Sequence, residues 1–205
     1  MIAVVDYGMG NLRSVMNAFA EIGATAELVT DPAAVDRSER VVLPGVGAFA
    51  QAIATLRQSG MVDALERFRS SGRPILGVCL GMQLMCSISE EDGIYKGLGW
   101  FSARVVPFER NKGLKVPHMG WNALHLARSD AIFDDVVEES DVYFVHSYYV
   151  DCERPEDVLA STDYGVNFAS IIGRANLYGM QFHPEKSQGI GLRLLSNFMR
   201  VPDRC

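Results

Sequence analysis

Residues 74–83 read Pro-Ile-Leu-Gly-Val-Cys-Leu-Gly-Met-Gln, and this stretch decides the fold class. A short apolar run leads into the turn Gly77-Val78-Cys79-Leu80-Gly81, after which a helix is predicted. Two glycines allow the chain to turn sharply without Cβ collisions, so the thiol of Cys79 is expected to stand above the sheet edge. A strand that turns directly into a helix predicts parallel strands connected by helices.

The sequence before this stretch alternates apolar strand-like runs with amphipathic helix patterns. Strands are predicted at residues 2–5, 26–30, 40–43 and 74–78. Between them, apolar residues recur at helical spacing near residues 12–22, 49–56 and 61–68. This alternation indicates an α/β fold, with an open, mostly parallel central sheet flanked by helices.

The second half of the chain is richer in strand patterns. Strands are predicted at residues 103–108, 121–126, 142–150, 168–172 and 177–182, followed by a final helix at 191–199. Residues 109–115 are polar and are predicted to form a loop. We therefore expect an additional antiparallel, strand-rich portion within a single domain that covers residues 1–205.

Composition excludes several classes of protein. The 205 residues carry a net charge of −6, from 25 acidic and 19 basic side chains, so a basic nucleic-acid-binding surface is not expected. The N-terminus lacks the pattern of a signal peptide. The longest uncharged stretches, residues 41–56 and 74–89, are shorter than the ~18 residues of a spanning helix. A cytoplasmic protein without membrane contact is predicted.

No metal, disulfide framework or cofactor is expected. The four cysteines, Cys79, Cys86, Cys152 and Cys205, form no Cys-x-x-Cys pair, and the four histidines are equally dispersed. The segment Tyr7-Gly8-Met9-Gly10-Asn11 contains Gly-x-Gly but lacks the third glycine of a dinucleotide-binding loop.

Cys79 is a candidate nucleophile because its position corresponds to that of the serine in a nucleophile elbow. A helix that starts just after Cys79 would direct its amide donors and its positive end towards the sulfur, and both favour the thiolate. The amide of Leu80 would be placed to bind an oxyanion. The alternative is an ordinary buried thiol, since free cysteine is among the most buried residue types.

A base and its orienting carboxylate are predicted in His183-Pro184-Glu185, directly after the strand at 177–182. Pro184 favours an extended His183, and residues two apart in an extended chain project to the same side. Glu185 can then hold one ring nitrogen of His183 and leave the other for Cys79. Alone, this motif more often marks a turn with a solvated glutamate and a histidine packed at the strand end; together with the cysteine elbow, it favours a triad.

A second glycine loop, Leu43-Pro44-Gly45-Val46-Gly47, follows the third predicted strand. Open α/β sheets bind ligands at the carboxyl ends of their strands, so a backbone amide within residues 45–47 is a candidate second oxyanion donor. On its own, such a motif is usually only a turn.

Taken together, these motifs resemble the triad (class I) glutamine amidotransferases over essentially the whole chain. The matching segments are Asp6-Tyr7-Gly8-Met9-Gly10-Asn11, Leu43-Pro44-Gly45-Val46-Gly47-Ala48-Phe49, Gly77-Val78-Cys79-Leu80-Gly81-Met82-Gln83, Pro117-His118-Met119-Gly120-Trp121-Asn122, Val145-His146-Ser147-Tyr148-Tyr149 and Gln181-Phe182-His183-Pro184-Glu185-Lys186-Ser187. The resemblance implies a glutaminase that hydrolyses L-glutamine with Cys79 as nucleophile, His183 as base and Glu185 as its orienter.

The resemblance also assigns the remaining site residues. It implies an oxyanion hole from Leu80 and the glycine loop of Gly45 and Gly47. It further implies substrate contacts by Gln83, Ser147 and Tyr148, although Tyr148 and Tyr149 also fit plain strand packing.

A partner follows from the same resemblance. Within that family, the closest resemblance is to the glutaminases of histidine biosynthesis. It implies that the ammonia passes to a (β/α)8-barrel cyclase/synthase subunit in a heterodimer, and such a barrel needs ~250 residues of its own. The implied interface residues are Asn11, Trp121, Tyr143 and Lys186; Trp121 could equally be core, and Lys186 a solvated charge. A further hypothesis is that partner docking moves the peptides of residues 44–47 into donor geometry.

Three other interpretations stay open. The chain could serve another synthase, such as one that aminates surface sugars, or it could be a γ-glutamyl peptidase with the same triad. A catalytically inactive regulatory subunit is the third, and the presence of all three triad residues argues against it.

Overall fold

Short apolar segments form the strands, and amphipathic segments form the helices that cover them. The computed structural model describes residues 1–109 and 113–203. Within them, the strands in chain order are β1 (Ile2–Val5), β2 (Ala26–Val29), β3 (Arg40–Gly45), β4 (Ile75–Cys79), β5 (Cys86–Ser89), β6 (Tyr95–Lys96), β7 (Phe101–Pro107), β8 (His118–Ala123), β9 (His125–Leu126), β10 (Asp141–His146), β11 (Tyr148–Cys152), β12 (Val158–Asp163), β13 (Asn167–Arg174) and β14 (Leu177–Met180). The α-helices in the same residues are α1 (Leu12–Glu21), α2 (Pro32–Asp36), α3 (Phe49–Gln58), α4 (Met61–Ser70), α5 (Leu80–Leu84) and α6 (Gln188–Phe198).

One large sheet carries most of these strands. In the described residues it contains twelve strands in the order β2-β1-β3-β4-β14-β13-β11-β7-β5-β6, with β12 paired to β13 and β9 paired to β12. The pairs from β2 to β14 along this order are parallel, and most of the remaining pairs are antiparallel. The predicted fold class, a mostly parallel sheet with an antiparallel portion, is confirmed.

The two faces of the parallel half are buried under different helices. In β1, Ala3 and Val5 pack with α3 and α4 on one face, while Ile2 and Val4 pack with α1 and α6 on the other. Because both faces are covered, all four residues of β1 are apolar and buried, as expected for a parallel strand. This packing holds the carboxyl ends of β1, β3 and β4 side by side.

A separate two-stranded antiparallel ribbon is formed by β8 and β10. The prediction of one strand over residues 142–150 was wrong in this respect. The chain changes sheet at Ser147, so β10 belongs to the ribbon and β11 to the large sheet. An apolar run indicates extended structure but carries no information on which neighbour each part joins.

Smaller differences concern elements without a strong periodic signal. The sequence did not predict α2, β5, β6 or β12, and β8 starts at His118, three residues before the predicted strand at 121–126. Positions 110–112 of the predicted loop at 109–115, and Cys205, lie outside the described residues. In residues 1–109 and 113–203, no helix has both the length and the apolar character needed to cross a bilayer.

Candidate active site

Cys79 lies at the sharp junction predicted from the sequence. It is the last residue of β4, α5 starts at Leu80, and the backbone of Cys79 has φ 54° and ψ −110°, which side-chain-bearing residues rarely adopt. Close backbone contacts require the flanking glycines. A Cβ on Gly77 would come within 2.7 Å of the Gly81 carbonyl, and one on Gly81 would overlap the carbonyl oxygen of Leu43. The elbow is therefore fixed by the close packing of α5 against β3 and β4.

The structure brings His183 and Glu185 together with Cys79. Nδ1 of His183 lies 2.8 Å from Oε1 of Glu185, and the exposed fractions of their side chains are 5% and 2%. An extended chain from His183 to Glu185 is the geometry expected from the sequence. Instead, Pro184–Lys186 forms a turn of 3-10 helix after an extended His183, and this turn brings the carboxylate back to the ring.

The electrostatics of His183 favour its protonated form. Burial disfavours the imidazolium, but hydrogen bonds with Cys79 and Glu185 outweigh it and raise the pKa of His183 to about 10. A protonated histidine between a sulfur and a carboxylate is the arrangement in which a thiolate is stabilised for nucleophilic attack.

The second glycine loop lies beside the elbow. The strand β3 extends to Gly45, which pairs with Cys79 across the β3–β4 ladder, and a Cβ on Gly45 would lie 3.1 Å from the Cβ of Leu80. Gly47 has φ +101° and follows the exposed Val46. The loop thus has a buried start at Pro44 and Gly45 and an exposed end that faces the nucleophile.

A cavity of about 340 Å³ opens over Cys79. Its lining includes Val46, Gly47, Cys79, Leu80, Gln83, Glu91, His146, Ser147, Tyr148, His183 and Lys186. Gly45 and Glu185 do not line it but lie behind the residues that do. A larger depression of about 720 Å³ near Arg128 and Asn197 contains no residue of the triad, so the smaller cavity is the candidate substrate site.

Gln83 is held at the base of this cavity by two acceptors. Its Nε2 donates to the backbone oxygen of Tyr148 at 3.1 Å and to Oε1 of Gln181 at 3.0 Å. Gln181 is fully buried, and its own Nε2 lies 3.9 Å from the sulfur of Cys79. The sequence assigned no role to Gln181, although it precedes the His-Pro-Glu turn by two positions.

Two buried histidines, His118 and His146, support the same carbonyl. Nδ1 of His146 lies 2.8 Å from the oxygen of Tyr148, and its Nε2 lies 2.9 Å from Nδ1 of His118. Because a carbonyl only accepts, Nδ1 of His146 carries hydrogen, and Nδ1 of His118 must donate to His146. Burial lowers the pKa of His118 to about 4. Burial also lowers the pKa of His146 to about 3, although its hydrogen bond with the Tyr148 carbonyl opposes this, so both rings are neutral.

Glu91 lines the cavity and was not predicted from the sequence. It lies between β5 and β6, and its Oε2 accepts a hydrogen bond of 2.7 Å from the amide of Phe49 at the start of α3. Burial raises the pKa of Glu91. The acidic run Glu90-Glu91-Asp92 gives no local sign that one carboxylate reaches the cavity.

The four predicted interface residues are all accessible at the surface of the protein. Asn11, Trp121 and Lys186 are exposed, and Tyr143 is half-buried. Trp121 is 47% exposed and forms an edge contact with Tyr143 across the ribbon of β8 and β10, at 5.7 Å between ring centroids. Of these four, Lys186 also lines the cavity.

The other described cysteines lack an activating environment. Burial raises the pKa of Cys86 well above its ordinary value and that of Cys152 to about 12. In residues 1–109 and 113–203, no cluster of three or more His, Cys, Asp or Glu is arranged to hold a metal ion.

The sequence is similar to a known protein family over nearly its whole length. Residues 3–201 match the family model described as glutamine amidotransferase class-I. The chain is 47% identical over 198 residues to the imidazole glycerol phosphate synthase subunit HisH of Desulfitobacterium hafniense. The aligned region covers 97% of this chain and 93% of that protein. It is 48% identical over 203 residues to the HisH subunit of Syntrophotalea carbinolica, with 97% and 98% covered.

Solved structures show the same fold. A crystal structure of a glutamine amidotransferase superposes with a TM-score of 0.76 over 98% of both chains, at 17% identity. The glutaminase domain of CTPS from Trypanosoma brucei, solved with bound acivicin, gives a TM-score of 0.69 at 18% identity, over 100% of this chain and 97% of that one.

Proposed function

The chain belongs to the class-I glutamine amidotransferase family, and from that premise we propose that Cys79, His183 and Glu185 hydrolyse L-glutamine to glutamate and ammonia. The observation that carries the proposal is the position of Cys79. It lies on a tight elbow beneath a 340 Å³ cavity, next to a buried histidine whose other nitrogen is 2.8 Å from a carboxylate.

In the first half-reaction, the thiolate of Cys79 attacks the side-chain amide carbon of glutamine. The new S–C bond forms while the carbonyl oxygen becomes an oxyanion, which the amide of Leu80 and an amide of residues 45–47 stabilise. His183, protonated in this state, gives its proton to the departing nitrogen. The C–N bond breaks, ammonia leaves, and a glutamyl thioester remains on Cys79.

In the second half-reaction, His183 takes a proton from water, and the resulting hydroxide adds to the thioester carbon. The C–S bond breaks, glutamate leaves, and the thiolate of Cys79 is restored. Glu185 holds the imidazole in one orientation throughout and stabilises its positive charge.

The polar groups of the cavity complement the amino-acid end of glutamine. Glu91 is the carboxylate among the described cavity residues, and it is suited to the α-ammonium group of the substrate. Gln83 uses its Nε2 within the protein, so its Oε1 is the atom available to the ligand. Ser147 and Tyr148 contribute the opposite wall, where the Tyr148 carbonyl is fixed by His146.

The ammonia produced is proposed to pass to a (β/α)8-barrel synthase subunit that forms imidazole glycerol phosphate and aminoimidazole carboxamide ribotide in histidine biosynthesis. The relatives at 47% and 48% identity support this assignment, since both are subunits of imidazole glycerol phosphate synthase. The proposed contact surface consists of four accessible residues, Asn11, Trp121, Tyr143 and Lys186.

Glutamate release tests the proposal in three mixtures: this chain alone, the chain with the barrel subunit, and the chain with the barrel subunit and its nucleotide ligand. We expect strong stimulation in the third mixture and its loss in Cys79→Ala, while the matched control Cys152→Ala keeps full activity. Equal rates in all three mixtures would indicate the peptidase-like alternative. No activity in any mixture would contradict the proposed glutaminase.

A further inference from the structure

The phenol of Tyr7 is a buried polar group that the proposed mechanism does not use. Tyr7 follows β1 at the carboxyl edge of the sheet. The turn that carries it is held by hydrogen bonds from Asp6 N to Val29 O at 2.9 Å and from Gly8 N to Asp6 Oδ1 at 3.0 Å. Tyr7 is 7% exposed and does not line the cavity over Cys79, so it has no access to a bound glutamine there.

The hydroxyl of Tyr7 instead contacts the start of the glycine loop. It donates a hydrogen bond of 2.9 Å to the carbonyl oxygen of Pro44, and a Cβ on Gly45 would overlap the same hydroxyl. The phenol therefore lies directly against the Pro44–Gly45 peptide, on the buried side of the loop.

This bond takes the place of a missing backbone contact. The register of β1 with β3 ends at the pair Val4 and Val42, two residues before Pro44. Pro44 also lacks an N–H group, so the β3 backbone can engage there only through its carbonyl. On the side of β3 that faces β1, the Tyr7 hydroxyl therefore holds this peptide beyond the end of the β1–β3 ladder, while β4 pairs with it on the other side.

Tyr7 also stays a neutral donor next to the nucleophile. Burial and the negative charge of Cys79 both raise the pKa of Tyr7 well above its ordinary value. The O–H group is therefore retained at neutral pH.

We infer that Tyr7 is a positioning residue that fixes the Pro44 carbonyl, and thereby holds the amides of residues 45–47 in place to stabilise the oxyanion over Cys79. This inference rests on the proposed glutaminase function. Because the oxyanion exists in the transition state and not in bound glutamine, losing the hydroxyl should lower kcat and leave KM unchanged.

The test compares Tyr7→Phe with wild type, in the presence of the barrel subunit and its nucleotide ligand. We expect kcat for glutamate release to fall by about 10-fold or more, less than the roughly 10²- to 10³-fold expected for deleting an oxyanion donor itself. Alkylation of Cys79 by iodoacetamide, in which the thiolate displaces iodide without forming an oxyanion, should keep its wild-type rate. The control Tyr95→Phe removes a hydroxyl from the exposed strand β6 and should leave both quantities unchanged.

Several results would overturn the inference. They are an unchanged or increased kcat, a rise in KM alone, or a parallel fall in kcat and in the alkylation rate, which would show that Tyr7 acts through the sulfur. Thermal unfolding of Tyr7→Phe identifies a variant that fails to fold; an alkylation rate equal to wild type excludes that explanation independently. Inactivity of the wild-type protein would instead refute the glutaminase function, and the inference with it.

Discussion

Replacing Glu185 by glutamine tests the buried pair behind the nucleophile. The substitution keeps the size of the side chain and removes the charge that faces Nδ1 of His183 at 2.8 Å. A hydrogen bond to a charged group contributes about 1.5–3 kcal/mol. Since each 1.36 kcal/mol is a factor of ten in rate, kcat/KM for glutamine should fall roughly 10- to 10²-fold.

The same substitution should change the pH dependence in a defined direction. Burial disfavours the protonated form of His183, and the hydrogen bonds with Cys79 and Glu185 raise its pKa to about 10. Without the charge of Glu185, the pKa of His183 falls, and the imidazolium is lost at lower pH. The alkaline limb of kcat/KM should therefore move to lower pH.

The assay measures glutamate release by Glu185→Gln from pH 6 to 10 together with iodoacetamide alkylation of Cys79. The matched control is Glu138→Gln, because Glu138 also lies beside a histidine, His125, at 3.3 Å but on the exposed surface. The control should behave as wild type. If Glu185→Gln kept the wild-type kcat/KM and the same alkaline limb, Glu185 would not be the orienting residue of the triad.

Three further predictions concern packing, substrate binding and pH-dependent stability. Gly81→Ala should lower the free energy of unfolding by about 3 kcal/mol or more in denaturant titrations, since its Cβ would overlap the backbone of β3. The control Gly189→Ala should have little effect, because no atom lies within 4 Å of the Cβ it adds. Glu91→Gln should raise KM for glutamine about 10-fold with little change in kcat, because an interaction with a charged group is lost; an unchanged KM would contradict its contact with the ammonium group. The pKa of His183 is raised from 6.5 to about 10, so its ionisation stabilises the fold fully below pH 6.5 and progressively less as the pH rises to 10. The thermal midpoint of wild type should therefore decrease more over that range than that of Glu185→Gln.

The elbow and the parallel sheet could be predicted because their signals are local. Gly77 and Gly81 flank Cys79 within five residues, and the strand before them is a short apolar run. What the sequence did not provide is the reason for Gly81. It is required because α5 packs against the carbonyl of Leu43, a contact between segments that are far apart in the chain.

The residues near Cys79 that were missed, Glu91 and Gln181, lack such a local signal. Glu91 reaches the site because the irregular segment between β5 and β6 packs against the start of α3, and Gln181 because β14 lies next to β4. The tertiary arrangement likewise decides that Trp121 is exposed, a question the sequence left open. The roles of Cys79 and Glu185 stay predictions, which the variants Cys79→Ala and Glu185→Gln test.

The backbone at Cys79 implies that the residue proposed as the nucleophile also has a strained backbone. A residue with a Cβ at φ 54° and ψ −110° costs about 1–3 kcal/mol, and the surrounding fold supplies it. At an ordinary position, a glycine variant has a free energy of unfolding about 0.4–1 kcal/mol lower than the alanine variant, because glycine makes the unfolded chain more flexible. Here the order should be reversed: Cys79→Gly should unfold at a higher temperature than Cys79→Ala, although both lack the sulfur. Reactivity and stability are thus opposed at a single residue.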